Sequence, residues 1–548
     1  MKERVLSSMG VRAAVMLAYA LAGGTLVLAG PLERASEGIS PARIEADVRF
    51  LADDLLEGRG SDSRGGILAR LYIRTRFAQS GVQPGAGNGS YEQPVALIGL
   101  DVQRPVSFLL RRREQTLRLN QEKEFVAGSS RYEKELPVDA EVVFAGYGIV
   151  APEQDWDDFK GVDVRGKVLL ILVNDPPSDD PSFFGGKALT YYGRWTYKYE
   201  NAARRGALGV LLVHTTETAG YPWEVVVNSF SGEQFFLADD PAEGLAVRGW
   251  LTEDASKRLV ALAGKDLDDL RARARAREFK PVPLGVTLHT RLRNTIRRLE
   301  SANVIGLVPG ANPERADEPI LVTAHWDHLG VGRGKTGDRI YNGAYDNASG
   351  VAALLALGEA FASARERLER PVLLIATTAE ESGLLGAEHY TRHPVLPLNH
   401  TVACLNLDSV NVFGLTRDLS PMGAERSTLM QMAEDVAREE GLKLVPDAMP
   451  EKGYFFRSDH FPFARAGVPA ASLEAGLDYV DRPEGWGKQT IERYITERYH
   501  KPGDEVIPDL DFRGTAQVAR FALKLGYALA SSEVWPDWIA GQEFRRPQ

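Results

Sequence analysis

Between residues 303 and 532 the chain alternates short apolar runs with longer stretches in which apolar side chains recur every three or four positions, the pattern of buried strands joined by helices. Strands are expected at 320–323, 372–377, 402–407 and 469–473, and helices at 351–364 and 427–440. Such alternation predicts an α/β fold, a mostly parallel mixed sheet flanked by helices on both faces. Upstream, Ile44, Val48, Leu51 and Leu55, then Leu68, Leu71 and Tyr72, fall at helical spacing and predict two helices within 41–82, joined by a loop that contains Gly58-Arg59-Gly60. From about 138 to 288 the pattern shifts to short β-rich runs at 141–146, 167–173, 209–214 and 283–289, as in a separate β-rich domain. A charged edge at 290–300, with Arg291, Arg293, Arg297 and Arg298, then precedes a new strand beginning at Asn303.

With 548 residues the chain is too long for one ordinary core, so several are expected. Hydrophobic residues at 44% and charged residues at 26% argue against extensive disorder and against a multi-span membrane protein. The formal charge of −10 offers no general attraction to nucleic acid, and none is expected as a partner. The basic run from Arg271 to Arg277 follows Asp266, Asp268 and Asp269, so it is taken as the solvated end of a helix. Lys2, Arg4 and Arg12 precede an apolar run at 13–30, which predicts an export signal (1–29) cleaved after Ala29, or a membrane anchor if it stays uncleaved. Cys404 is the one cysteine, which excludes an intrachain disulfide.

The candidate chemistry collects at strand ends. His325, Glu380-Glu381 and Asp408 each follow closely on an expected strand, and in open α/β sheets that places side chains in the crevice at the carboxyl edge. In His325-Trp326-Asp327-His328, Asp327 can orient a ligating imidazole. Asp346 enters a helix, and its two oxygens can bridge two cations. Glu380 and Glu381, adjacent after an apolar strand, repel each other unless positive charge is near, and can divide the roles of ligand and base. Asp408 closes the strand that includes Cys404, and His500 lies in a loop before the last helix. Taken singly, each also fits a structural role as a hydrogen-bonded loop, a helix cap, a strand-end acid or a surface histidine. Together they supply one imidazole and one carboxylate per metal with an aspartate shared, a nitrogen and oxygen set that suits zinc. Two such ions would acidify a shared water and polarise a carbonyl, with Glu380 as general base.

The ordered motifs resemble those of the M28 family of zinc peptidases. The resemblance implies a zinc exopeptidase fold with two Zn2+ per chain, His325 and Asp408 on one metal, Glu381 and His500 on the other, Asp346 between them, Glu380 as base and Asp327 as the histidine-orienting acid. Leu51 to Arg59 and Ser458-Asp459-His460 are similar to family segments outside the ligands, and Tyr345 stands where the family often has an aspartate. Gly166-Lys167-Val168 and the stretch from Ala203 to Val210 resemble a protease-associated domain inserted in the peptidase. Expected boundaries are 36–135 for the first part of the peptidase domain, 136–295 for the insertion and 296–535 for the catalytic part. The stretch between His460 and His500, with Trp486 and Tyr494, is expected at the substrate rim or in a surface loop. Peptides are the implied substrates and aminopeptidase action the commonest implication. A carboxypeptidase or dipeptidase, for which Arg457 could hold a terminal carboxylate, is the alternative, and a single-zinc enzyme like glutaminyl cyclase is another.

Overall fold

A computed structural model describes residues 30–240, 244–333 and 337–546. The expected export signal lies outside the described residues, and no described helix is long and apolar enough to cross a membrane. The main sheet is built from β1 (Glu92–Val102), β2 (Val282–Val308), β3 (Ile320–His325), β4 (Val372–Thr377), β5 (Ala403–Asn406), β6 (Asp418–Met422) and β7 (Ala470–Ala475). Four of these run parallel at its centre in the spatial order β4, β3, β5, β7. Antiparallel β2 and β1 extend the sheet on the β4 side, and antiparallel β6 flanks β7.

All six residues of β3 and all six of β4 are buried, as an apolar run without polar alternation requires when both faces are covered. Ile320, Val322 and Ala324 pack into a core with the helices Ser349–Ser363 and Arg513–Ser531, while Leu321 faces a second core with Tyr390 and Phe463. The helix Ser349–Ser363 is apolar around most of its circumference because it is enclosed on all sides. Gly350 lets its first turn approach β5, since a Cβ there would stand 2.3 Å from the Leu407 carbonyl oxygen.

The expected break at 290–300 is absent. β2 is one 27-residue strand that starts in a second sheet and ends in the main one. Arg291 and Arg293 alternate outward, with Leu292 and Asn294 buried between them and exposed Thr295, so a charged edge in the sequence is the solvent face of a ladder. Arg297 pairs with Glu233 and Asp62 across that face.

The second sheet includes Phe108–Arg112, Gln115–Leu119 and Phe125–Gly128, so it begins well before the expected boundary at 136. Gln234–Leu237, inside the expected insertion, pairs instead with β1 of the main sheet. These short strands carry few β-branched residues and gain their partners from distant chain, which is why residue type alone did not mark them. The basic run ends the helix Leu267–Ala274, capped by Asp266, and Arg271 pairs with Glu253 and Asp268.

Arg59 is buried and ties three segments together. Its guanidinium donates to the carbonyls of Leu51, Trp326, Asn342 and Gly343. The preceding Gly58 has φ +64°, and a Cβ there would lie 2.4 Å from the Gly330 carbonyl oxygen, so only glycine fits. Burial lowers the Arg59 pKa to about 10, and Asp327, Asp504, Asp346 and Glu381 resist that shift. The loops that carry the candidate site thus hang from a fixed cation.

Candidate metal centre

The carboxyl edge of the parallel strands gathers all six candidate ligand and base residues. His325 ends β3, Glu380 and Glu381 follow β4, and Asp408 lies two residues past β5. Asp346 sits in an irregular turn, with φ −109° and ψ 92°, just ahead of the helix Ser349–Ser363. The turn is held by Asp504, whose carboxylate accepts from the backbone N–H groups of Tyr345 and Asp346, each at 3.1 Å. His500 comes from the loop after the helix Trp486–Glu497 and has φ +54°.

Asp346 turns one oxygen to each imidazole. Its Oδ1 is 3.2 Å from His325 Nε2, and its Oδ2 is 3.3 Å from His500 Nε2. His325 Nε2 also lies 3.3 Å from Asp408 Oδ1, and His500 Nε2 lies 3.1 Å from Glu381 Oε2. Ligand atoms of His325, Asp346 and Glu381 fall within 4.8 Å of one another, as do those of His325, Glu380 and Asp408. Each imidazole therefore meets one carboxylate of its own and one half of a shared one, a donor set that fits divalent cations of the zinc type.

The electrostatics call for cations. Burial pulls the His325 imidazole down, but Asp408, Glu380 and Asp346 override it and hold its pKa well above the ordinary value. Burial likewise opposes charge on His500, yet Glu381 and Asp346 raise it to about 10. Burial pushes the Glu380 carboxyl well above the usual carboxylate range; Glu381 and Asp408 add to the effect against His325. Four acids around two imidazoles, Asp346 and Glu380 buried and Glu381 and Asp408 partly so, leave negative charge that bound metal would neutralise.

The outer contacts depart in part from expectation. His325 Nδ1 donates to the main-chain carbonyl of Asp327 at 3.1 Å, so its orienting bond does not use the Asp327 carboxylate. That carboxylate accepts instead from the Ser61 hydroxyl at 2.9 Å and the Glu380 N–H at 3.3 Å. Asp327 is thereby an anchor for the loop bearing Glu380. His328, not assigned a partner from sequence, lies with Nδ1 2.6 Å from Glu381 Oε1. Ser458 donates to Asp408.

The second sheet's unit reaches the same centre. Ser229, at the end of the helix Trp223–Phe230, has its hydroxyl 2.8 Å from His500 Nδ1, and Asn228 Nδ2 donates to the His500 carbonyl at 2.9 Å. Nothing in the residue types of a Val-rich helical stretch pointed to this contact. A cavity of about 560 Å3 opens beside the cluster, lined by Asp346, Glu380, Glu381, Asp408 and His500 and, from the second unit, by Arg194, Trp195 and Tyr221. Tyr494 lines it too, packed edge-on against Tyr345, whereas Trp486 packs edge-on against Tyr479 and is absent from the lining.

An α/β sheet whose carboxyl edge gathers imidazoles and acids around a cavity defines a metal-site protein of the open-sheet class. Residues 303–525 match the model described as Peptidase family M28, and this part of the chain is a family M28 domain. Aminopeptidase YwaD of Bacillus subtilis is 27% identical over 213 residues, a match covering 38% of this chain and 43% of that protein, less than half of its length. A protein described as probable leucine aminopeptidase 2 from Aspergillus oryzae is 23% identical over 484 residues, covering 85% of this chain and 82% of its own. Among solved structures, an aminopeptidase from Aneurinibacillus sp. strain AM-1 shares the fold with a TM-score of 0.55 and 20% identity, covering 94% of this chain and 100% of that one.

Proposed function

We propose that the chain is a di-zinc metallo-exopeptidase that removes N-terminal residues from peptides. The observation that carries the reading is Asp346 presenting one carboxylate oxygen to each of two histidines, each with a further acid of its own. His325 and Asp408 would hold one ion, Glu381 and His500 the other, with Asp346 shared. Bound zinc would supply Lewis-acid polarisation of the scissile carbonyl and acidify the attacking water. Glu380, whose side chain borders the cavity, would take a proton from that water and return it to the leaving amine. Asp327 would fix the Glu380 backbone, and the acids facing the cavity would hold a free substrate ammonium. The export expected from the N-terminal pattern suits an enzyme for external peptides.

The unit that resembles a protease-associated domain would also serve the metal centre. With Nε2 given to a metal ion, His500 Nδ1–H would donate to Ser229 Oγ, 2.8 Å away. Such outer contacts fix ring orientation, and their loss weakens metal binding about 10- to 100-fold. Ser229→Ala should raise the zinc dissociation constant by that factor in competition with a chromophoric chelator. An unchanged constant would show that the contact does not support the site.

A second reading draws on Arg194 and Arg457, which line the cavity with their Nε atoms buried and unbonded. Burial, with Arg457 beside it, lowers the Arg194 pKa to about 9. This pair could hold a terminal carboxylate, as in a dipeptidase or carboxypeptidase. A panel of free, N-acetylated and C-amidated peptides separates the two. Acetylation should lower kcat/KM by at least about 100-fold if a buried acid loses its ammonium partner. Blocked peptides cut as fast as free ones would end the aminopeptidase reading, and a loss on amidation alone would favour the second.

A further inference from the structure

The far wall of the cavity carries an acid that the reaction does not use. β6 and β7 pair antiparallel with Ser420 opposite Glu474, and Ser472 lies two residues earlier on the same face. Ser472 is opposite Asn406 of parallel β5, the last paired residue before the turn that carries Asp408. Ser420, Ser472 and Glu474 all line the cavity. The two serines are 7% and 1% exposed, and their hydroxyls make no hydrogen bond among the described residues. Glu474 has no hydrogen bond or ion pair there either. Its charged neighbours are Asp447 and Asp408, and burial together with these acids pushes its carboxyl up to about 8. Val445, Pro446, Met449, Tyr454 and Leu477 add apolar surface to the lining of the same cavity. Arg457 is held away from Glu474, bonded to the Ala219 carbonyl and set over the rings of Tyr221 and Tyr454.

An unpaired acid beside two unbonded hydroxyls, in a cavity whose lining also carries apolar side chains, is complementary to a long aliphatic stem ending in a cation. We propose that this recess receives the lysine or arginine side chain of the substrate's N-terminal residue, making Glu474 a specificity-determining residue. The proposal rests on the aminopeptidase reading for which bond is cut, but the cation recess itself does not. A carboxylate without a protein partner is costly to keep, and a ligand's charge relieves it. The alternative role for Glu474, holding the α-ammonium, would affect every substrate equally.

The test uses the full zinc-loaded chain and two variants, Glu474→Gln and Glu474→Leu. Hydrolysis of lysyl and norleucyl p-nitroanilides is measured alongside calorimetric binding of lysinamide and norleucinamide, which differ by the terminal ammonium. The parent should favour lysine by about 10- to 100-fold in kcat/KM and in affinity, and both variants should lose that ratio. Both should melt no lower than the parent, since an unpaired acid is removed, so a lost ratio is not unfolding. A parent ratio near one, or an equal loss on both substrates, overturns the proposal. If neither anilide is cut while lysinamide still binds better in a Glu474-dependent way, the aminopeptidase reading fails and the recess stands; if neither amide binds, both fail.

Discussion

Glu380→Gln should keep its metal and lose about 10^2- to 10^4-fold in kcat, the range that a positioned general base contributes. The amide has the size of the carboxylate but cannot accept the proton of the attacking water. Burial and the adjacent Glu381 and Asp408 already hold this carboxyl well above the usual range. Its proximity to His325 and Asp408, with ligand atoms within 4.8 Å, also makes it a conceivable ligand, and the same variant separates the two roles. A base that is not a ligand leaves zinc content after dialysis unchanged while turnover collapses. Loss of a metal equivalent would make Glu380 a ligand, and wild-type turnover would remove it from the mechanism altogether.

The sequence exposed the half of the site that strands build. An apolar run followed by a polar, ligand-type residue can be recognised at His325, at Glu380-Glu381 and at Asp408, because burial on both faces forces an unbroken apolar pattern and the register then delivers the next side chain to one edge. β4 spans the expected 372–377, and the helix at 351–364 begins two residues earlier, at Ser349. What sequence could not display was anything set by tertiary pairing. Arg291 to Arg298 look like a linker until β1 and its neighbours lie beside them. Ser229, in a helix of ordinary composition, and Arg194, just ahead of another, lie hundreds of residues from His500 and meet the cavity only because the second unit folds over it. Asp327 shows a finer limit. Its place beside two histidines was visible, but whether carbonyl or carboxylate meets the ring depends on local backbone geometry that residue types do not encode.

His500→Ala carries the second large effect, on metal stoichiometry. Removing this imidazole leaves Asp346 Oδ2 and Glu381 Oε2 without the ring that lies 3.3 and 3.1 Å from them. The partner ion would keep His325, Asp408 and the other oxygen of Asp346, so zinc should fall from two per chain to one instead of vanishing. A full-length chain with one equivalent would then hold buried acids without their counter-charge. Breaking such a pairing costs about 3–5 kcal/mol, which thermal melting at matched zinc concentration reads as a lower Tm. Hydrolysis should drop by at least about 100-fold, since the ligand set that orients the shared Asp346 is broken. His325→Ala should behave as the mirror case, losing the other equivalent. If the parent binds only one zinc, the single-metal alternative is correct whatever the variants do. If His500→Ala still binds two, residue 500 is no ligand, and its closeness to Asp346 and Glu381 is an ion pair within the cavity wall.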